Sequence, residues 1–177
     1  SVAIHSENRP EWFIADIGIQ SLGAVSVGLY PTNPASEVEY LLSHSESKIL
    51  FAEDQEQVDK ALQVIENLPL LEKIVYFEDR GLYSYDHPKL MRFDEFLEIG
   101  KSEYESFPEY VDQQLEEIND EDVAFLVYTS GTTGKPKGSM ITHGNISWVA
   151  SQIPNFSLVE NVKAKDPQFL SYLPSVS

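Results

Sequence analysis

Val123-Ala124-Phe125-Leu126-Val127-Tyr128, followed without a break by Thr129-Ser130-Gly131-Thr132-Thr133-Gly134-Lys135-Pro136-Lys137-Gly138, decides how this chain is read. The first six residues are an uninterrupted apolar run, the pattern of a strand buried on both faces of a parallel sheet. The next ten hold three glycines, four hydroxyls and two lysines. Glycine lets the backbone turn sharply and brings N–H groups close to a ligand. Hydroxyls add rotatable donors, the lysines add mobile positive charge, and Pro136 stiffens the stretch between them. Amides, hydroxyls and ammonium groups concentrated in this way form an anion cradle, and a polyphosphate is the anion that uses so many donors. The loop leaves the carboxyl end of a strand, where open α/β sheets bind ligands.

Charge supports that reading. Residues 123–159, 37 in a row, carry no carboxylate, in a chain with 29 acids among 177 residues. Each carboxylate near a phosphate would oppose its binding. The bland alternative is a flexible Gly/Ser/Thr surface loop, which accounts for neither the adjoining buried strand, the lysines nor the acid-free window. Two familiar phosphate loops are excluded by spacing. Counting from Gly131, the Walker pattern needs Gly at position 136, where Pro136 stands, and Gly-x-Gly-x-x-Gly is absent.

Upstream, strands and helices alternate. Val2–His5 reads as a strand. A helix with Asn8 as N-cap and Pro10 in its first turn follows, apolar on nearly all sides through Trp12, Phe13, Ala15, Ile17 and Ile19, hence buried rather than amphipathic. Gly23 suits its C-terminal cap. Ala24–Leu29 is a strand and Tyr30-Pro31-Thr32-Asn33-Pro34 a turn. Ser36-Glu37-Val38-Glu39 is a capping-box pattern opening a helix with Val38, Leu41 and Leu42 on one face. Lys48–Ala52 is a strand, and Asp54 caps a helix carrying Val58, Ala61, Leu62, Ile65 and Leu68. Lys73–Phe77 is the next strand. Downstream of the glycine-rich loop, Asn145 caps a helix carrying Ile146, Val149, Ala150 and Ile153, and Phe169–Leu173 is a final strand. The fold class is therefore α/β: a mostly parallel sheet covered by helices on both faces, wound by right-handed crossovers. Residues 78–122 break the pattern. With nine acids and one base in 101–122, they read as a solvated acidic connector with a short helix or two.

Twenty-nine acids against 12 Lys and Arg give a net charge of −17, a poor basis for general nucleic-acid binding or adhesion to an anionic membrane. With no cysteine, disulfides, thiolate metal sites and cysteine nucleophiles are removed together, and a reducing cytoplasm is the compartment that composition fits. No apolar run approaches the roughly 20 residues that span a bilayer. The abrupt start at Ser1 and the end at Ser177 read as cuts, so residues 1–177 are taken as one incomplete domain.

Residues 128–138, Tyr-Thr-Ser-Gly-Thr-Thr-Gly-Lys-Pro-Lys-Gly, resemble the signature phosphate-binding loop of the AMP-forming adenylate superfamily. Ser6-Glu7-Asn8-Arg9-Pro10-Glu11-Trp12, Leu22-Gly23-Ala24-Val25, Tyr30-Pro31-Thr32-Asn33-Pro34, Thr142-His143-Gly144-Asn145 and Ser171-Tyr172-Leu173-Pro174 resemble long-chain fatty acid–CoA ligases in order and spacing. The resemblance runs from end to end and is weakest between residues 78 and 118. It implies part of a larger N-terminal adenylation domain. The reaction it implies has two steps, in which a carboxylate attacks the α-phosphate of ATP with loss of pyrophosphate and coenzyme A then displaces AMP. By the same resemblance, Thr129, Ser130, Gly131, Thr132, Thr133, Gly134 and Gly138 hold the β- and γ-phosphates. Lys137 neutralises charge on the departing pyrophosphate, Thr129 also contacts Mg²⁺, and Lys135 is solvent-exposed. Fatty acid, ATP and coenzyme A are the implied partners, in the cytoplasm or at a membrane periphery, with the oligomeric state left open. Adenine, ribose and coenzyme A contacts, the Mg²⁺ carboxylate and a catalytic lysine are implied to lie past residue 177, so the fragment alone is expected to be inactive. Two residues depart from the ligase pattern: Ser139 for Val or Ala, and Ser177 where a histidine is usual. An amino-acid adenylation domain, a luciferase-type oxygenase and a non-catalytic nucleotide-binding scaffold stand as alternatives. His5, His44, His87 and His143 lack metal-ligand spacing. Of these His143 is the one nearest to mattering, because it sits just before the helix that follows the loop.

Overall fold

The computed structural model describes residues 1–129 and 134–152. Among them, strands β1 (Val2–His5), β2 (Ser26–Leu29), β3 (Ile49–Ala52), β4 (Lys73–Tyr76), β5 (Leu90–Arg92), β6 (Val123–Thr129) and β7 (Lys137–Thr142) form one sheet in the order β5-β4-β3-β1-β2-β6-β7. The pairs β1–β2, β1–β3, β2–β6, β3–β4 and β4–β5 are parallel, and β6–β7 is antiparallel. The helices are α1 (Pro10–Ser21), α2 (Ala35–His44), α3 (Gln55–Gln63), α4 (Phe93–Ser106), α5 (Tyr110–Glu117) and α6 (His143–Gln152).

Strand periodicity divides the core in two. Ala3, Leu50 and Ile74 pack with Val38, Leu41 and Leu42 of α2 and Val58 and Ala61 of α3. Their neighbours Ile4, Phe51 and Val75 pack with Trp12, Ala15 and Ile19 of α1 and with Phe93 and Phe96 of α4. Both faces of the sheet are thus covered, as the sequence pattern predicts.

Local signals carry over unevenly. Helix α1 ends in a Schellman motif as expected, with Gly23 N–H donating to Gln20 O (3.0 Å), Ala24 N–H to Ile19 O (3.1 Å) and Gly23 at φ +66°. Its start differs, because the N-cap is Arg9, extended at φ −152°, with Pro10 at the first helical position. Nor is α1 buried all round. Trp12, Ala15 and Ile19 face the sheet, while Ile14 and Ile17 are 56% and 65% exposed, since a helix laid on a sheet presents one stripe to it. Helix α2 begins at Ala35 with Pro34 as N-cap and no side-chain cap bond, so the box expected at Ser36 is not formed. Pro34 O instead accepts from Glu37 N and Val38 N.

Asp54 does cap α3, its Oδ1 accepting from Glu56 N at 2.8 Å. Asp54→Ala should cost about 1 kcal/mol, read as a lower urea midpoint with an unchanged denaturant slope.

Residues 78–122 hold two helices, as expected, and also β5, which extends the parallel sheet at its edge. Three half-buried or exposed residues are too few to display a strand period. Downstream, Asn145 is not the N-cap of α6. Thr142 fills that position: its Oγ1 accepts from Asn145 N (3.2 Å) while Asn145 Oδ1 accepts from Thr142 N (3.1 Å). This is a reciprocal capping box with asparagine as the third-position partner. The expected strand Phe169–Leu173, Ile153 and Ser177 lie outside the described residues.

Candidate functional site: the β6–β7 hairpin at the carboxyl edge of the sheet

The parallel strands end together, so His5, Leu29, Ala52 and Thr129 share one edge. The glycine-rich segment leaves β6 at that edge. Its second half is not loop: Lys137 and Gly138 belong to β7, which returns antiparallel to β6. Lys137 stands directly across from Thr129, and Gly138 across from Tyr128. The sequence reading missed β7 because Lys-Gly-Ser-Met-Ile-Thr lacks the apolar run of a buried strand. An edge strand needs none, and the six residues of β7 are half-buried or exposed.

The hairpin places Thr129 and Lys137 as cross-strand neighbours, both exposed. A hydroxyl and an ammonium are thereby set side by side at the strand ends. Among the described residues, Lys137 is engaged in no ion pair, in contrast to Lys48 with Glu72 and Lys60 with Glu56. Gly134 takes φ +147°, a backbone conformation strained for any residue with a Cβ. Gly138 lies under the Tyr128 ring, where an added Cβ would come within 3.2 Å of Cζ. Ser130, Gly131, Thr132 and Thr133 lie outside the described residues.

Sequence reasoning missed two contributors, both on α2. Tyr40 Oη donates to Pro136 O at 2.9 Å, and His44 Nδ1 lies 2.7 Å from Tyr128 Oη. Lys135 is exposed as expected, yet its Nζ sits 4.9 Å from the centre of the Tyr40 ring. Burial pushes the Tyr128 phenol pKa up, so it stays protonated. No local pattern announces these contacts, since they join residues 84 and 96 positions apart. The acid-free window is also less complete in space than in sequence. Glu37 and Glu39 of α2 border a cleft of about 680 Å³ beside Lys135 and Pro136.

His143 is not at this edge. Thr142 pairs with Val123, at the opposite end of β6 from Thr129, which puts His143 roughly 20 Å from the loop at strand rise. It opens α6, with its N–H donating to Asp122 O.

At the end of β1, separated from the hairpin by β2, His5 is fully buried and its Nε2 lies 3.0 Å from Tyr30 O. Burial, reinforced by the nearby Lys60 charge, lowers its pKa to about 4. Unfolded, His5 takes up a proton below about 6.5. Between those values the unfolded chain binds more protons, so stability falls as pH falls, by about 2 kcal/mol at pH 5. His5→Gln should flatten that part of a urea-midpoint profile.

The described residues do not build a magnesium site by themselves. Thr129 offers one hydroxyl, and among the described residues no three His, Asp or Glu side chains are grouped to hold a metal. Nor, among them, is any helix long and apolar enough to cross a membrane.

The family model described as AMP-binding enzyme matches residues 1–176. Long-chain-fatty-acid–CoA ligase ACSBG2 of Xenopus laevis is 36% identical over 173 residues, 98% of this chain and 23% of that protein. The ACSBG2 ligase of Homo sapiens is 34% identical over 98% of this chain and 25% of its own length. The chain thus spans about a quarter of the curated relatives it matches. Among solved structures, the anthranilate CoA ligase AuaEII in complex with anthranoyl-AMP superposes with a TM-score of 0.63 at 26% identity, over 85% of this chain and 26% of that one. The luciferase-like enzyme of the nonluminescent Zophobas morio mealworm shares the fold, with a TM-score of 0.56 at 22% identity over 80% of this chain and 30% of that one.

Proposed function

The chain belongs to the AMP-binding enzyme family, and from that premise we propose that it is the polyphosphate-binding part of an AMP-forming fatty acid–CoA ligase. The observation that carries the reading is the cross-strand pairing of Thr129 with Lys137 at the carboxyl edge of a parallel sheet. A fatty acid carboxylate oxygen attacks the α-phosphorus of ATP, the bond to the bridging oxygen breaks, and pyrophosphate leaves. The thiol of coenzyme A then attacks the acyl carbonyl and AMP departs. Thr129, Ser130, Gly131, Thr132, Thr133, Gly134 and Gly138 supply donors to the β- and γ-phosphates. Lys137 is the catalytic cation, placed where negative charge grows on the leaving pyrophosphate, and its role is electrostatic rather than proton transfer. A magnesium ion on the phosphates would supply further charge neutralisation, with the Thr129 hydroxyl as this chain's contribution.

The similarity of the chain to two long-chain-fatty-acid–CoA ligases over 98% of its length supports a fatty acid as the acid substrate. The acidic, cysteine-free composition supports a cytoplasmic enzyme of small molecules over a nucleic-acid binder. Residues 1–177 form one incomplete domain in this reading, with 78–122 as an acidic connector inside it, and the fragment alone does not turn over. The test is AMP release by the full-length protein given ATP, coenzyme A and either long fatty acids or amino acids. Coenzyme-dependent AMP formation with fatty acids is expected. Amino acids as the better substrates would replace the fatty acid reading with an amino-acid adenylation domain.

A further inference from the structure

We propose that helix α2 is the positioning element of the polyphosphate hairpin, with Tyr40 and His44 gripping its two stems and so fixing where Thr129 and Lys137 stand. The inference rests on the phosphate-site reading above and adds to it two residues that no motif contains.

Tyr40 and His44 are one helical turn apart, so they project from one side of α2. Val38, Leu41 and Leu42 bury the adjacent stripe against the sheet at 0–2% exposure, which makes α2 a fixed base. From it, Tyr40 Oη reaches the returning stem at Pro136 O (2.9 Å) and the Tyr40 ring holds the Lys135 ammonium at 4.9 Å. His44 reaches the outgoing stem at Tyr128 Oη (2.7 Å), with the two rings edge to face. Tyr128 in turn lies on Gly138, close enough that an added Cβ would stand 3.2 Å from its ring. Pro136 and Gly138, the neighbours of Lys137 on either side, are therefore both held by α2, one by a hydrogen bond and one through Tyr128. Thr129 is held through the same tyrosine, which precedes it. Lys135 is drawn toward α2 by the Tyr40 ring, leaving Lys137 as the lysine facing Thr129. Tyr40 and His44 direct these polar atoms at the hairpin itself, so they act through it rather than on substrate.

The test compares the full-length protein with Tyr40→Phe, His44→Leu and the double variant, plus His44→Gln, which keeps a hydrogen-bonding group. The first readout needs no turnover: deuterium uptake at the amides of Gly134, Lys135, Lys137 and Gly138 in the nucleotide-free protein. Uptake there should rise several-fold in Tyr40→Phe and His44→Leu, with the β1 and β3 amides unchanged and His44→Gln close to wild type. The second readout is ATP affinity by calorimetry, expected to weaken about 3- to 10-fold per variant, while the apparent KM for the acid stays constant. Unchanged amide uptake overturns the inference. So does faster uptake with unchanged ATP affinity, which would leave α2 a structural neighbour only. Lys137→Ala separates the two readings. If it leaves ATP affinity and pyrophosphate exchange intact, the phosphate-site assignment itself is wrong. If it impairs them while the α2 variants match wild type, only the α2 inference falls.

Discussion

Replacing Lys137 with alanine is expected to slow fatty acid-dependent ATP–pyrophosphate exchange by about 10²–10³-fold, with little change in the thermal midpoint. Lys137 is exposed on β7 and makes no ion pair among the described residues, so removing its charge breaks no ion pair that holds the fold. Its ammonium stands at the strand position across from Thr129, where the phosphates that carry developing charge are proposed to sit. A point charge fixed by a paired strand needs no reorganisation as pyrophosphate leaves, which is why the loss should fall on the rate rather than on folding. Lys135→Ala is the internal comparison. That ammonium rests against the Tyr40 ring, so its loss should weaken ATP binding modestly and spare most of the rate. Comparable losses from both lysines would indicate a diffuse basic patch instead of one catalytic cation.

Ile4→Ala is expected to destabilise the protein by about 2–5 kcal/mol, visible as a lower urea midpoint. Ile4 is fully buried on β1, the middle strand of the seven, paired to β2 on one side and β3 on the other. It packs with Trp12, Ala15 and Ile19 of α1 and with Phe51 and Val75 of the neighbouring strands. Deleting three carbons there leaves a cavity walled by two paired strands and a helix, which cannot collapse without shifting the sheet. Ile17→Ala on α1 removes the same carbons from a side chain that is 65% exposed, and should cost less than about 1 kcal/mol.

How far such features can be read from residues depends on where their partners lie in the chain. The strands β1 to β4 and β6 were legible because each is a short apolar run bounded by turn signals. The caps at Gly23 and Asp54 were legible because each acts on backbone within a few residues. Ser36 and Asn145 misled for the same local reason: their chemistry suits a cap, but Pro34 and Thr142 occupy the capping positions. β5 and β7 escaped because edge strands carry mixed, half-buried or exposed residues with no period to detect. The α2 contacts at the hairpin, Tyr40 with Pro136 and His44 with Tyr128, are matters of topology, set by β2 bringing α2 beside β6. The chemistry proposed for the glycine-rich segment, by contrast, rests on local composition alone, because a polyphosphate needs amides, hydroxyls and ammonium groups together.

Exchange of labelled pyrophosphate into ATP by the full-length protein, with a long fatty acid present and coenzyme A omitted, isolates the adenylation step. Exchange that requires the fatty acid and collapses in Lys137→Ala is the expected result. Folded protein that binds ATP yet supports no exchange with any carboxylic acid would contradict the assignment and leave a nucleotide-binding scaffold in its place.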